Sequence, residues 1–226
     1  MRLLSNVRET PTTRRIRLAL DGITFQYRAG QAASLAAGAS EFTPYSIASA
    51  PVETTQHGWL EFLVKVDGSS RFGAIVDRLD AGTIIRVEGP TGRFLLPEGD
   101  PDRPLLFVAG GTGIAPLRSM ILQALHGGHR GQLSLVYSAR RPDEFAYVDE
   151  LRQLSTDGRL ALSLTLTGDA DDWTYSRGRT GAAHLEDFLE PRLTAFVCGP
   201  PSMTADVPAA LRSLGLPADR IRTEGW

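Results

Sequence analysis

The sequence is poor in cysteine and has no long apolar run. Cys198 is its one cysteine, which excludes an intramolecular disulfide and a cysteine-ligated iron–sulfur or zinc site. The longest apolar runs, such as residues 104–109, are far too short to cross a bilayer. No secretory leader is recognisable at the start of the chain. We therefore expect a cytoplasmic protein without a membrane or metal site.

The chain also lacks an excess of charge of either sign. It has 24 basic and 26 acidic residues, for a net charge of −2, so a nucleic-acid partner is not expected. Lys65 is the one lysine, and because arginine is so common a single arginine only weakly indicates a phosphate site. Hydrophobic residues make up 42% and charged residues 22%, which is typical of a globular protein and excludes intrinsic disorder.

The first part of the chain has the pattern of short strands separated by turns. The apolar residues Ile16, Leu18 and Leu20 alternate with Arg15, Arg17 and Ala19, which is typical of a half-buried strand. Further strands are predicted at residues 30–35, 60–66 and 84–88, with one helix at 71–79. This pattern predicts a small antiparallel barrel. A segment rich in proline, glycine and acidic residues at 97–101 marks the predicted boundary between domains 1–98 and 99–226.

The second part alternates strands and helices. Strands are predicted at 104–109, 133–139, 160–167, 195–198 and 220–223, and helices at 116–126, 143–154, 182–189 and 203–214. Such alternation predicts a doubly wound, five-stranded parallel sheet in the order 3-2-1-4-5.

A glycine-rich loop follows the first predicted strand of this domain. Gly111, Thr112 and Gly113 precede Pro116, at the start of a predicted helix. Glycines let a diphosphate approach the backbone, and the free N–H groups of a helix start favour negative charge. The alternative is a tight strand–helix turn without a ligand.

A second special loop follows the fourth strand. It contains Cys198, Gly199 and Pro200. Strands one and four are neighbours in the predicted order, and ligands bind in the crevice where their connections diverge. We therefore expect both loops at one crevice.

With these loops, the sequence Thr-Pro-Tyr-Ser at residues 43–46 and the ending Glu-Gly-Trp at 224–226 resemble the ferredoxin–NADP⁺ reductase superfamily. The resemblance implies a flavin-binding barrel followed by an NAD(P)-binding domain. The implied cofactors are FAD, with FMN as the alternative, and NADPH or NADH. The implied function is hydride transfer from NAD(P)H to flavin and electron delivery to a separate ferredoxin or oxygenase component.

The resemblance also implies roles for individual residues. Tyr45 would pack on the flavin, and Ser46 would hydrogen-bond near flavin N5, the hydride acceptor. Cys198 would lie near nicotinamide C4, Glu224 would polarise the pair or relay a proton, and Trp226 would stack on the flavin. The alternatives are an ordinary strand at 45–46, a small core cysteine and a tryptophan packed as a plug.

Two positions depart from the family pattern. The family has arginine at the position of Thr43, where it binds the flavin phosphates. Losing such a charge-assisted contact costs about 1.5–3 kcal/mol, or roughly ten- to 150-fold in affinity. A family serine or threonine is replaced by Gly73. We hypothesise that Arg71, in the same segment, supplies the missing guanidinium.

Coenzyme preference depends on the residues after the second strand of the parallel sheet. Positive charge there favours the 2′-phosphate of NADPH, whereas an acidic residue favours NADH. Arg140 and Arg141 therefore favour NADPH, although Asp143 lies close by.

Two other functions remain open from the sequence. The first is a flavin reductase that uses flavin as a diffusible substrate, which the loss of arginine at Thr43 would favour. The second is a non-catalytic accessory subunit of a redox complex. Retention of Ser46, Cys198 and Glu224 argues against the accessory subunit.

Overall fold

The first part of the chain folds into a barrel of six strands. The computed structural model describes residues 1–66, 68 and 71–225. Its first elements are β1 (Arg2–Thr10), β2 (Thr13–Ala19), β3 (Ala32–Ala37), β4 (Thr43–Ser46), α1 (Pro51–His57), β5 (Trp59–Lys65), α2 (Arg71–Val76) and β6 (Ile85–Thr91). The strands form two antiparallel sheets, ordered β1-β2-β5 and β4-β3-β6.

Isolated bridges join the two sheets at both seams. Arg2 of β1 pairs with Ile84 beside β6, and Ile47 beside β4 pairs with Phe62 of β5. Ile16, Phe62 and their neighbours on the inward faces of the strands form a buried core. The predicted antiparallel barrel is confirmed.

Helix α1 was not predicted, and α2 is shorter than the predicted helix at 71–79. Pro51 begins α1, a Glu53 carboxylate oxygen accepts a 2.8 Å bond from the Ala50 N–H, and Gly58 ends the helix at φ +71°. Proline is well suited to the first helical position, and glycine to a left-handed C-terminal position. With only seven residues, α1 is too short to produce a readable helical period.

The second part of the chain forms a parallel sheet with helical connections. Its elements are β7 (Leu105–Gly110), α3 (Ile114–His126), β8 (Leu133–Ala139), α4 (Val148–Thr156), β9 (Ala161–Leu166), β10 (Ser176–Arg177), α5 (Ala182–Leu185), β11 (Thr194–Gly199), α6 (Pro201–Ser213) and β12 (Ile221–Gly225). All strand pairs are parallel, in the order β10-β9-β8-β7-β11-β12.

This order contains the predicted arrangement 3-2-1-4-5, and the doubly wound fold is confirmed. One correction concerns strand number, because the sheet has six strands rather than five. The additional strand, β10, pairs through Ser176 and Arg177 at the edge beyond β9. Two exposed polar residues carry no hydrophobic alternation, so the sequence could not indicate this strand.

The contacts divide the chain into two units. The first contains Met1–Leu96 together with Arg118–His126, and the second contains Pro97–Leu117 together with Gly127–Trp226. Most of α3 therefore packs in the barrel unit, although α3 begins directly after the glycine-rich loop. Among the described residues, no helix combines the length and apolar character needed to span a bilayer.

Candidate active site

The glycine-rich loop of the second unit is shaped by two different requirements. Gly111 has φ +54° and open space where a side chain would project. Gly113 is buried, and a Cβ atom built on it would lie 2.2 Å from the Cys198 carbonyl oxygen. Gly111 thus leaves the backbone open to a ligand, whereas Gly113 permits close packing. Thr112 lies between them and is half-buried, and Pro116 lies in the first turn of α3.

The second loop packs directly on the first. A Cβ atom on Gly199 would lie 3.2 Å from the Gly110 Cα atom, and one on Gly110 would lie 2.9 Å from Pro200 Cδ. Both loops follow carboxyl ends of paired parallel strands, β7 and β11. The structure therefore brings the two predicted loops together at one edge of the sheet.

Tyr137 supports the glycine-rich loop through its hydroxyl, and no local sequence pattern indicates this role. Its hydroxyl donates a 3.1 Å hydrogen bond to the Gly111 carbonyl and accepts one of 3.1 Å from the Ala146 N–H. The side chain is fully buried, and Phe145 packs edge-on against its ring at 5.0 Å. Tyr137 thus fixes the loop through a satisfied buried hydroxyl.

Cys198 and Glu224 occupy paired positions on β11 and β12. Cys198 is fully buried, whereas Glu224 is half-buried. Burial raises the pKa of the Cys198 thiol well above its usual range, and the negative charge of Glu224 raises it further. The side chain is therefore an uncharged thiol at physiological pH.

This burial predicts an unreactive cysteine. We expect Ellman's reagent at pH 8 to label only a trace of the native protein, because nucleophilic attack needs an accessible thiolate. After unfolding in guanidinium chloride, labelling should reach one equivalent per chain, since Cys198 is the single cysteine. Rapid stoichiometric labelling of the native protein would contradict the buried position.

Arg140 and Arg141, which are expected to recognise the coenzyme, and Arg177 of the edge strand β10 differ in their surroundings. Arg141 forms a bidentate pair with Asp143 at 2.9 and 3.0 Å. Arg177 donates to the backbone carbonyls of Ala170 and Trp173. Arg140 is exposed directly after β8. Arg177 therefore binds backbone carbonyls of its own loop, whereas Arg140 and Arg141 lie at the carboxyl end of β8.

In the barrel unit, β4 carries the predicted flavin-binding residues. Thr43, Tyr45 and Ser46 are all half-buried, and the Tyr45 ring packs at 5.7 Å from the buried Phe72 ring of α2. On a strand, Tyr45 and Ser46 point to opposite faces.

The two predicted phosphate positions lie on α2. Gly73 is buried in this six-residue helix. Arg71 forms a 2.7 Å ion pair with Glu41, and both side chains are more than 70% exposed. Trp226 lies outside the described residues.

Comparisons with known proteins identify the family. The model described as "Oxidoreductase FAD-binding domain" matches residues 1–95, and that described as "Oxidoreductase NAD-binding domain" matches residues 107–208. The chain belongs to the ferredoxin–NADP⁺ reductase superfamily. It is an NAD(P)H-dependent flavoprotein oxidoreductase with FAD and a nicotinamide nucleotide as cofactors.

Several named proteins are similar to this chain over most of its length. Ferredoxin–NADP reductase B of Sorangium cellulosum is 32% identical, over 91% of this chain and 88% of the relative. The reductase component of propane 2-monooxygenase from Rhodococcus jostii is 30% identical, over 87% of this chain and 55% of the relative. The phenol hydroxylase P5 protein of Acinetobacter pittii is 32% identical, over 95% of this chain and 62% of the relative. The chain thus spans little more than half of the last two relatives.

Solved structures of the superfamily share the fold. The Amycolatopsis cytochrome P450 reductase GcoB aligns with a TM-score of 0.87 and 26% identity, over 99% of this chain and 68% of that protein. A ferredoxin NADP⁺ reductase from Neisseria gonorrhoeae, solved with FAD and NADP, aligns with a TM-score of 0.85 and 22% identity, over 99% and 96%.

The residues present fit the two cofactors of this superfamily. The open backbone at Gly111 leaves room for a phosphate group, which a Cβ atom there would partly fill. On β4, Thr43 and Tyr45 lie two residues apart on one face and combine an aromatic surface with a hydroxyl, as a flavin ring and its ribityl chain require, while Ser46 adds a half-buried hydroxyl at the end of the strand.

Proposed function

We propose that this chain passes electrons from NAD(P)H through FAD to a ferredoxin or the oxygenase component of a multicomponent system. Its similarity to Sorangium ferredoxin–NADP reductase B, over 91% of this chain, carries the proposal. The similarity to the reductase component of propane 2-monooxygenase supports the oxygenase alternative. With one cysteine, the 226 residues lack the ligands of a cysteine-bound cluster, so the acceptor lies outside them.

In this proposal the flavin-side residues act from β4. FAD, when bound, accepts a hydride from the nicotinamide and passes electrons on singly. The Tyr45 ring would pack on the flavin, and the Ser46 hydroxyl would donate a hydrogen bond near flavin N5. Thr43 would contact the flavin phosphates more weakly than an arginine, and Gly73 would allow them close to the backbone.

The nicotinamide-side residues act from the two adjoining loops. Gly111, Thr112 and Gly113 would bind the diphosphate, and Pro116 would fix the start of α3. Cys198, with Gly199 and Pro200 after it, lines the nicotinamide position. Because Cys198 is buried, it would act at C4 as a small, uncharged neighbour of the nicotinamide and not as an exposed reactive thiol. Glu224 polarises the reacting pair or relays a proton.

Flavin content and dye reduction test this proposal. The protein purified by buffer exchange should retain about one FAD per chain and oxidise NAD(P)H when ferricyanide is supplied. Flavin lost on exchange, with activity restored by adding it, would indicate a flavin reductase with a diffusible substrate. Absence of NAD(P)H oxidation with every dye, even with FAD added, would indicate an accessory subunit.

We also propose that Arg71 replaces the arginine missing at Thr43. Its pair with Glu41 is exposed and worth at most about 1 kcal/mol, so the guanidinium can leave it for a phosphate. Arg71→Ala should weaken FAD binding about tenfold or more in a fluorescence titration.

The variant Glu41→Ala is the control for Arg71. It removes the competing partner of the guanidinium and should leave FAD affinity unchanged or higher. An Arg71→Ala protein that binds FAD within about twofold of wild type, roughly 0.4 kcal/mol, would exclude the role of Arg71.

For coenzyme preference we propose NADPH, with Arg140 and Arg141 at the 2′-phosphate. Arg140→Ala should lower kcat/KM for NADPH about tenfold and leave the value for NADH nearly unchanged, because only NADPH has the phosphate. Arg130→Ala, at an exposed Asp102 pair, is the matched control. A tenfold preference of the wild-type protein for NADH would contradict this proposal.

A further inference from the structure

The backbone next to Ser46 depends on support from side chains. Ser46 ends β4, a four-residue strand that pairs with β3 at the edge of its sheet. Directly after it, residues 47–50 are completely buried. Ile47 donates to the Gln31 carbonyl at 2.9 Å and Ala48 to the Glu61 carbonyl at 2.8 Å. The bonds to this segment therefore fix the end of β4.

Two neighbouring side chains of α3 bind the carbonyls of this segment. Arg118 Nη1 donates to the Ala48 carbonyl at 2.9 Å, and Ser119 Oγ donates to the Ser49 carbonyl at 2.6 Å. Arg118 is 4% exposed and Ser119 is fully buried. The Tyr27 hydroxyl also donates to the Ser49 carbonyl at 2.9 Å, and burial raises its pKa to about 12. The buried carbonyls after Ser46 therefore accept hydrogen bonds from one charged side chain, Arg118, and from two hydroxyls.

The Arg118 guanidinium is itself held in a fixed orientation. It forms a bidentate pair with Glu53 at 3.0 and 3.1 Å, and its Nη1 lies 3.8 Å from Glu61 Oε1. The other Glu61 oxygen accepts a 2.7 Å bond from Arg17. Buried ion pairs contribute little net stability, whereas the planar guanidinium fork imposes a specific geometry. The network around Arg118 therefore contributes more to the fixed orientation of the guanidinium than to the stability of the fold.

We propose that Arg118 is a positioning residue for hydride transfer, which it supports by fixing Ala48 and hence the backbone that carries Ser46. This role rests on the proposed function, in which the Ser46 hydroxyl lies near flavin N5. Ser119 supports the same backbone segment through its hydrogen bond to the Ser49 carbonyl. Neither side chain is required to touch the flavin or the coenzyme.

A purely structural ion pair would also weaken the protein when it is broken, so the test must detect action through Ser46. A double-mutant cycle does so, because residues that act through one another have non-additive effects. The variants are Arg118→Lys, Ser119→Ala, Ser46→Ala and the two doubles with Ser46→Ala. Arg130→Lys, at an exposed pair with Asp102, controls for loss of a guanidinium.

We expect Arg118→Lys to slow anaerobic flavin reduction about tenfold, with KM for the coenzyme within about twofold of wild type. Ser119→Ala should slow it about threefold. In the Ser46→Ala background, Arg118→Lys should cost less than about twofold. The visible circular dichroism of bound FAD should change in both single variants. Arg130→Lys should change neither the rate nor the dichroism.

The proposal would be overturned if Arg118→Lys slowed flavin reduction by the same factor in the wild-type and Ser46→Ala backgrounds. It would also be overturned if Arg118→Lys and Ser119→Ala both kept the wild-type reduction rate and FAD dichroism. Should Arg118→Lys fail to fold, Ser119→Ala and its double variant decide by the same criterion. Failure of the proposed function gives a different result, since the wild-type flavin would then not be reduced by coenzyme. The FAD dichroism would still show whether Arg118 orders the Ser46 backbone.

Discussion

Gly113→Ala is expected to slow reduction of the bound flavin by NAD(P)H by about 100-fold or more. The added Cβ atom would lie 2.2 Å from the Cys198 carbonyl oxygen, 2.5 Å from its carbonyl carbon and 2.9 Å from the Gly199 nitrogen. These are backbone atoms, so the collision can be relieved only by moving the two loops apart. Overpacking of this kind also costs about 1–3 kcal/mol or more of folding free energy.

Stopped-flow reduction and thermal unfolding measure these two effects of Gly113→Ala. FAD binding should stay within about twofold of wild type, because the FAD-binding domain comprises residues 1–95. Gly181→Ala is a suitable control, since its Cβ atom would meet only the Arg179 carbonyl at 3.8 Å. If the Gly113→Ala protein reduced its flavin at the wild-type rate, close contact between the two loops would not be needed for coenzyme use.

Ser46→Ala should lower the rate of hydride transfer by about 100- to 1,000-fold while FAD affinity changes only severalfold. A positioned hydrogen-bond donor near an atom that gains charge in the transition state contributes an effect of this size. The change removes one oxygen from a half-buried position on β4 and leaves the Tyr45 contact with Phe72 intact. Single-turnover reduction under anaerobic conditions measures the hydride step separately from electron delivery.

Ser213→Ala provides the matched control for the Ser46 experiment. Ser213 is exposed, and its hydroxyl donates to the Ala210 carbonyl at 2.7 Å at the end of α6. Its removal should leave both the reduction rate and FAD binding unchanged. Near-wild-type reduction in Ser46→Ala would exclude the assigned role and favour the reading of residues 45–46 as an ordinary strand.

The sequence predicted those features that depend on local pattern. The loop at Gly111 and Gly113 was recognisable because glycines stand between an apolar run and a helical period. The contact with the Cys198 loop followed from strand order, since strands one and four of a doubly wound sheet are neighbours. The roles of Ser46, Cys198 and Glu224 came from the family resemblance and remain predictions.

The features that the sequence missed depend on partners far apart along the chain. Arg118 is separated from Glu53 by 65 residues and from Ala48 by 70, and nothing in the local pattern indicates that they meet. Tyr137 looks like an ordinary strand residue until its hydroxyl is placed against Gly111, 26 residues away. Buried polar networks become visible only when the fold has closed around them.

The most direct test of the account is anaerobic addition of NADPH to the purified protein with its FAD. We predict that the visible flavin band is bleached at about one equivalent of NADPH and returns when an electron acceptor is added. A flavin band that stays unchanged with excess NADPH and with excess NADH, in protein shown to bind FAD, would contradict hydride transfer by this chain.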